Sequence, residues 1–290
     1  MSLTGRYVID RVKQTISRYI RLPVPPYGQP NYWESSYQSL GPNDVNEWAR
    51  LGYNQLAKYR YKPLPLSSEH RLALGITNPD GQIKSDDDDN STDGYVNTSF
   101  GETIQVYPQA SSDEPILIVG AGNSKLGEDM LDAQWRGPII QVDISSRVCD
   151  ALSIRCAPHL PNGNMQIVQD DATLLSAIAD GKVKAIIDKG LLDAFFCADE
   201  YSLITDCLRA AHRVLEPGGC FVTFSFSQPG FFLSRLLVNH HGRRNTLPWQ
   251  NVEIRQLDNI YLYRFIKKAE KGLPRYATKK ATGNAKNRRK

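Results

Sequence analysis

A glycine turn that directly follows a short apolar run constrains this chain more than any other feature of its sequence. The apolar run covers residues 116 to 119, and its β-branched side chains suit a central strand of a parallel sheet. Gly120 and Gly122 then allow positive φ and a close approach of the backbone to a ligand. Asn123 or Ser124 can cap a following helix. The order of strand, glycine turn and helix predicts a cradle for a nucleotide.

A spaced acid supports this prediction and narrows the ligand. The next apolar run, residues 139 to 142, ends in Asp143, and an acid about 20 residues after such a turn is placed to accept hydrogen bonds from a ribose diol. The dinucleotide fingerprint requires a third glycine where this chain has Lys125. No Gly-Lys-Ser or Gly-Lys-Thr follows a glycine turn, so a P-loop is absent. Adenosine without phosphates fits best.

Strand and helix patterns alternate from residue 114 onward, which predicts a parallel sheet with helices on both faces. Two final apolar runs are separated only by Asp258 and Asn259, and so tight a reversal predicts an antiparallel pair. The predicted strands are 116–120, 138–142, 165–169, 183–188, 219–226, 252–257 and 260–266, and the clearest predicted helix is 199–214.

Several motifs together resemble a known family. They are Gly-Ala-Gly-Asn-Ser (120–124), Asp-Ile-Ser (143–145), Asp-Lys-Gly-Leu-Leu-Asp-Ala (188–194) and Ser-Gln-Pro (227–229), preceded by Tyr-Trp-Glu (32–34) with Tyr37 and by Glu47 with Trp48. The chain resembles class I S-adenosylmethionine-dependent methyltransferases of the methyltransferase-like branch, which includes the elongation factor 1-alpha lysine methyltransferases. The resemblance covers roughly 30–50 and 114–268. It implies an α/β, doubly wound, mostly parallel seven-stranded sheet (Rossmann-like) with an antiparallel terminal strand.

The resemblance also implies a cofactor and a site. S-adenosylmethionine is the expected cofactor, and the expected acceptor is a lysine or N-terminal amine of a protein such as a translation factor, for example elongation factor 1-alpha. Gly120 and Gly122 would line the methionine portion, Asp143 the ribose, and the turn from Asp170 through Asp171 to Ala172 the adenine. The full set of expected cofactor-binding residues is Trp33, Gly120, Gly122, Asn123, Ser124, Asp143, Ile144, Asp170, Asp171, Ala172 and Asp188.

Asp188 is the candidate catalytic residue. Methyl transfer from a sulfonium needs mainly an aligned nucleophile, and Asp188 ends the fourth predicted strand, where a carboxylate can orient an amine. The alternative for Asp188 is turn stabilisation or helix capping. Tyr32, Trp33 and Trp48 are expected to close over the cofactor. The alternative for Lys189 and Asp193 is a local ion pair that supports the loop after the fourth predicted strand.

The chain departs from the family pattern at a few positions. Ala121 stands where the family usually has Cys, and Leu191 stands where it usually has Thr. After Ser-Gln-Pro the chain has Gly230, Phe231 and Phe232 in place of His and Arg flanking a Phe. These last changes weaken the prediction of the acceptor more than that of the cofactor.

Composition and the resemblance together suggest four segments. Residues 1–28 form an amphipathic basic segment and linker, 29–113 a cofactor-covering segment with an acidic flexible insertion, 114–268 the methyltransferase core, and 269–290 a disordered basic tail. Residues 267–290 carry ten Lys or Arg and one Glu, so the rest of the chain has a net charge of −5 within the total of +4. The tail suggests weak RNA or ribosome contact, with a solvating tail or nuclear import as alternatives.

Five cysteines without metal-ligand spacing indicate a reducing, cytoplasmic location and no metal, and no apolar run is long enough for a membrane. A mitochondrial or other organelle transit helix at residues 1–22 is the alternative. Two other functions stay open: a small-molecule methyltransferase, and a catalytically silent module that uses the cofactor fold for binding.

Overall fold

The computed structural model describes residues 24–58, 62–65, 114–135, 137–237 and 249–269. The helices are α1 (Pro30–Ser36), a 3-10 turn (Trp48–Arg50), α2 (Tyr53–Lys58), α3 (Leu126–Asp132), α4 (Ser146–Arg155), α5 (Leu191–Cys197), α6 (Tyr201–Val214) and α7 (Pro229–Leu237). The strands are β1 (Lys62–Leu64), β2 (Ile116–Val119), β3 (Ile139–Asp143), β4 (Met165–Gln169), β5 (Val183–Lys189), β6 (Leu215–Ser225), β7 (Trp249–Leu257) and β8 (Ile260–Lys267).

The strands form one sheet in the order β1-β7-β8-β6-β5-β2-β3-β4. Strands β2 to β6 are parallel, and β8 runs antiparallel to both β6 and β7. The chain proceeds from β2 outward through β3 and β4, then returns to β5 on the other side of β2. Strand order therefore reverses beside β2, which is where open α/β sheets bind ligands. The predicted seven-stranded sheet with an antiparallel terminal strand is confirmed.

Alternate side chains of β2 enter two separate cores. Leu117 and Val119 pack with residues of α5, α6 and α7, whereas Ile116 and Ile118 pack with residues of α2, α3 and α4. All four side chains are buried, and burial of each contributes about 1.5 to 3 kcal/mol. The continuous apolar run at 116–119 is thus explained by helices on both faces of a central strand.

Several element boundaries differ from the sequence-based expectations, and the structure adds one strand. Strand β6 begins at Leu215, four residues before the predicted start, because Leu215 already pairs with Val183 of β5. The short strand β1 adds an eighth strand beside β7, and its three-residue length left no periodic signal in the sequence. The reversal at Asp258 joins β7 and β8 as predicted, with Asp258 at φ +49°.

Some predictions lie outside the described residues. They concern the helix within 1–22, the acidic insertion within 29–113 and the basic tail beyond 269. Among the described helices, none is both long and apolar enough to cross a membrane.

Candidate functional site

A cleft of about 290 Å³ opens at the carboxyl ends of β2, β3, β4 and β5. Ten of the eleven predicted cofactor residues line it, and only Asp188 does not. Those ten are Trp33, Gly120, Gly122, Asn123, Ser124, Asp143, Ile144, Asp170, Asp171 and Ala172. Residues from three strand ends and from the amino-terminal segment thus meet in one place.

The glycine turn after β2 has no room for side chains. Gly120 has φ +58°, and a Cβ there would lie 2.9 Å from the Cβ of Leu191. Gly122 has φ +54°, and a Cβ there would lie 3.2 Å from the Tyr37 hydroxyl. Any other residue would strain the backbone, and at Gly122 its side chain would also point towards Tyr37 across the cleft. The turn therefore presents bare backbone to whatever the cleft holds.

Asp143 links the end of β3 to this turn. Its Oδ2 accepts a hydrogen bond from the Gly122 backbone N–H at 2.8 Å, and its Oδ1 accepts one from the Ser145 N–H at 3.0 Å. Burial raises the pKa of Asp143, and these backbone hydrogen bonds oppose the increase. A carboxylate offers about four acceptor positions, so the side chain retains capacity for a ligand hydroxyl.

The turn after β4 contains two aspartates, and both line the cleft. Asp170 accepts hydrogen bonds from the backbone N–H groups of Asp171 and Ala177, each at 2.8 Å. Asp171 accepts from the backbone N–H and hydroxyl of Thr173, at 2.8 and 2.7 Å. These bonds fix the turn that carries Ala172, so both carboxylates organise this end of the cleft.

The amino-terminal segment covers the cleft and is anchored beside it. Trp33, Tyr37 and Trp48 line the cleft, whereas Tyr32 does not. The Glu34 carboxylate accepts hydrogen bonds from the hydroxyls of Ser145 and Ser146, and these bonds lower its pKa. Glu34 therefore attaches α1 to the start of α4, two residues after Asp143.

Tyr37 lies over the glycine turn. Burial raises the pKa of its hydroxyl to about 12, and the nearby Asp143 carboxylate adds to the increase. The phenol is therefore neutral at physiological pH and available as a hydrogen-bond donor. Trp33 is held separately, because its indole N–H donates to the Tyr27 carbonyl at 2.7 Å.

A second anchor joins Glu47 to Lys189. The Glu47 carboxylate is ion-paired with the Lys189 ammonium and accepts hydrogen bonds from the Ser124 hydroxyl and the Lys125 N–H, both at 2.8 Å. Lys189 also donates to the Leu51 carbonyl at 2.8 Å. Burial lowers the pKa of Lys189, and Glu47 opposes this effect.

The predicted ion pair between Lys189 and Asp193 is wrong. Lys189 is engaged by Glu47, and the Asp193 carboxylate instead accepts hydrogen bonds from the Ser225 hydroxyl and from the Phe226 N–H at 2.9 Å. Lys189 is the last residue of β5, whereas Asp193 belongs to α5.

Asp188 lies beneath the cleft and does not line it. Its carboxylate is fully buried and accepts hydrogen bonds from the N–H groups of Leu191 and Leu192, at 2.8 and 3.4 Å, and from the Thr223 hydroxyl at 2.6 Å. Burial raises its pKa to about 7. This geometry favours the turn-stabilising alternative over direct contact with a ligand or acceptor, and the catalytic role of Asp188 stays a prediction.

Sequence reasoning missed part of the lining. Besides the predicted residues, the cleft is lined among others by Tyr27, Gly28, Asn46, Phe195 and Leu203. A Cβ on Gly28 would lie 2.9 Å from Glu200 and 3.0 Å from Leu203, so the segment before α1 lies against the start of α6. The proline-rich stretch at 23–27 is the only local sequence signal near Gly28, and it does not indicate where the segment before α1 docks.

Comparison with known proteins gives partial matches. No family model matches the chain. The eEF1A lysine and N-terminal methyltransferase of Danio rerio is 32% identical over 127 residues, which cover 44% of this chain and 18% of that protein. The human protein of that name is 29% identical over 149 residues, covering 50% and 20%, and the Drosophila melanogaster homolog is 31% identical over 151 residues, covering 49% and 22%.

The chain therefore spans about a fifth of the length of the curated relatives it matches. A solved SAM-dependent methyltransferase from Methanosarcina mazei aligns over 55% of this chain and 95% of its own, with 12% identity and a TM-score of 0.41. The fold assignment rests on the strand order and the antiparallel β8. The resemblance to class I methyltransferases of the branch that includes the eEF1A lysine methyltransferases is confirmed.

Proposed function

We propose that this chain transfers a methyl group from S-adenosylmethionine to an amine nitrogen of a protein. The observation that carries this proposal is the hydrogen bond between the Gly122 N–H and Asp143. It brings a bare backbone turn and a buried acid together at the switch point of the sheet, inside a cleft covered by Trp33, Tyr37 and Trp48.

The residues of the cleft fit this cofactor. The backbone at Gly120 and Gly122 would approach its methionine portion, since a Cβ at either position is excluded by Leu191 or crowded by Tyr37. Asp143 has acceptor capacity left for ribose hydroxyls. The fixed turn at Asp170 to Ala172 and the apolar side chains Phe195 and Leu203 supply an edge and a surface for a base. When bound, the cofactor supplies a methyl group already activated by its sulfonium.

The protein contributes alignment and exclusion of water. An amine attacks only when neutral, and a lysine with a pKa of about 10.4 is neutral in roughly one molecule of 10³ at pH 7, a cost of about 4 to 5 kcal/mol. Desolvation beside Trp48 and Leu191 would favour the neutral amine. The anchors through Glu34 and Glu47 hold the covering segment in place, so the amine meets a formed site.

The acceptor is proposed from chemistry and from the relatives. The matched proteins are named for lysine and N-terminal methylation of eEF1A, and both acceptors are primary or terminal amines. A translation factor such as eEF1A is therefore the acceptor we propose. A cytoplasmic location agrees with this acceptor and with five free cysteines, four of them buried.

Labelling tests the function directly. The protein is incubated with methyl-labelled S-adenosylmethionine and purified eEF1A, and in parallel with a cell lysate, and the labelled residue is identified by mass spectrometry. Label on a lysine or N-terminal amine supports the proposal, while label on a small molecule indicates a small-molecule methyltransferase. Cofactor binding without any labelled acceptor indicates a catalytically silent module.

A further inference from the structure

Phe226 is a large apolar side chain at the carboxyl end of β6 that stays 47% exposed. Its ring centroid lies 4.8 Å from that of Trp48, with the ring planes 52° apart. Trp48 lines the cleft and Phe226 does not. The two rings therefore form a continuous aromatic surface that leads from solvent to the interior of the cleft.

The backbone around Phe226 is fixed by a dedicated network. Asp193 accepts hydrogen bonds from the Ser225 hydroxyl and the Phe226 N–H. The Ser227 N–H donates to the Ser225 hydroxyl oxygen at 3.0 Å, and the Tyr263 hydroxyl donates to the Ser227 carbonyl at 2.6 Å. The last residue of β6 and the two residues after it are thus held, although the ring that they present is half exposed.

Trp48 is fixed independently from the other side. Its indole lies directly on Gly190, where φ is +98° and a Cβ would come within 2.6 Å of the ring. Ala49 and Arg50, which follow Trp48, both have positive φ, a strained conformation for residues with side chains. Strain of this kind persists where the surroundings impose it, and the residue before Trp48 is held by the Glu47–Lys189 ion pair.

The Asp193 carboxylate lies next to the aromatic pair, because it accepts a hydrogen bond from the Phe226 N–H at 2.9 Å. Within the described ranges, no Lys or Arg forms an ion pair with Asp193, and Glu47 and Lys189 pair with each other. Aromatic faces attract a cation and also pack against an alkyl stem, so this pair suits an alkyl ammonium.

We propose that Trp48 and Phe226 form the wall along which the alkyl ammonium of the methyl acceptor enters the cleft, and that Asp193 is the positioning residue that holds Phe226 in that wall. This inference rests on the proposed function and adds to it the residues that select the acceptor. It assigns Phe226 to specificity and leaves cofactor binding to the glycine turn and Asp143.

Steady-state kinetics test the role of Phe226, with the full chain, labelled S-adenosylmethionine and eEF1A. If the wild type labels another protein in the lysate, that protein is purified and used as the acceptor. Phe226→Ala should raise the acceptor KM about 3- to 30-fold, the range of a cation–π contact, with cofactor Kd unchanged. Phe226→Tyr keeps the ring and should stay near wild type. Phe226→Leu keeps apolar area without a π face and should resemble Phe226→Ala, and its full rescue would overturn recognition of a cation.

A double-mutant cycle with Phe226 tests the positioning role of Asp193. Asp193→Ala should raise the acceptor KM as Phe226→Ala does while kcat changes little, and the double variant should add nothing to either single change. Asp193→Asn retains one acceptor oxygen, so an intermediate KM is expected even if Asp193→Ala fails to fold. Additive effects of the two changes would overturn the positioning role.

Phe231 provides the matched control. It is 43% exposed on α7, and its ring lies 5.6 Å from that of Phe196. Phe231→Ala should leave the acceptor KM unchanged; an equal increase there would assign the effect to general apolar docking and overturn the proposal. A wild type that binds cofactor and labels no acceptor contradicts the proposed function together with this inference. A labelled acceptor with unchanged KM in Phe226→Ala contradicts this inference alone.

Discussion

The Glu47 carboxylate and the Lys189 ammonium form an ion pair although 142 residues separate them in the chain. Glu47 precedes the tryptophan that covers the cleft, and Lys189 ends the strand beside the glycine turn. The pair therefore attaches the amino-terminal segment to the central sheet at the point where both contribute to the site.

Replacement of Glu47 should be costly because it leaves a buried ammonium without its counter-charge. Lys189 has 6% of its side chain exposed and Glu47 has 19%. Glu47→Gln should lower the free energy of unfolding by about 3 kcal/mol, measured by urea denaturation. Combination with Lys189→Met should recover much of that loss, since no isolated charge then remains buried.

The more exposed pair of Lys184 and Glu216 is the control for this prediction. Its side chains are 20% and 31% exposed, so Glu216→Gln should cost no more than about 1 kcal/mol. Equal losses in Glu47→Gln and Glu216→Gln would contradict the assignment of Glu47 as an anchor.

Asp188 should make stability depend on pH. Its pKa rises from 3.8 to about 7 on folding because of burial, so between these values the folded state binds more protons than the unfolded state. Its contribution to the free energy of unfolding is therefore full below about pH 4 and is lost as the pH rises towards 7, by at most about 4 kcal/mol. Asp188→Asn should remove this slope, and urea denaturation at pH 5 and pH 8 measures it.

Thr223→Val gives an independent check on that slope. The Thr223 hydroxyl donates to Asp188 and lowers its pKa. Removal of the hydroxyl should therefore raise the pKa of Asp188 further, so that the loss of stability continues to a higher pH than in the wild type. Asp143 and Asp193 also have raised pKa values, but both remain in every variant, and the difference curves isolate Asp188. A wild-type minus Asp188→Asn difference that does not vary with pH would refute the assignment.

Local patterns in the sequence predicted the sheet and most of the cleft. The apolar run at 116–119, the glycines that follow it and Asp143 are separated by short distances in the chain, and strand ends in a parallel sheet converge on one edge. Parallel pairing alone therefore places these residues together, which the register of β2 with β3 bears out.

Long-range partners could not be predicted in this way. Nothing local in Glu47 indicates that it pairs with Lys189. The closeness of Lys189 and Asp193 in the sequence suggested a local pair, but Glu47 engages Lys189 and the Ser225 hydroxyl and Phe226 N–H engage Asp193. Likewise, Asp188 ends the predicted strand 183–188 and looked available to a ligand, but α5 begins at Leu191 and its first N–H groups donate to the carboxylate.

The basic tail should act on association and leave chemistry intact. Residues 277–290 contain six Lys or Arg and no acid. A chain truncated after Tyr276 should keep its turnover number and bind RNA or ribosomes more weakly. The slope of log K against the logarithm of the salt concentration should become shallower by about 0.7 to 0.9 for each phosphate that the tail no longer neutralises. Equal binding of the full and truncated chains across ionic strengths, in a filter or sedimentation assay, would exclude this role.

Cofactor affinity tests the central claim most directly. Titration calorimetry with S-adenosylmethionine should show binding to the wild type and an increase in Kd of at least about tenfold in both Gly122→Val and Asp143→Ala. Gly163→Val is the matched control, because Gly163 has φ +74° and nothing within 4 Å of a Cβ, so it suffers backbone strain away from the cleft. The account predicts that only the two cleft variants bind the cofactor more weakly, and unchanged Kd values in Gly122→Val and Asp143→Ala would contradict it.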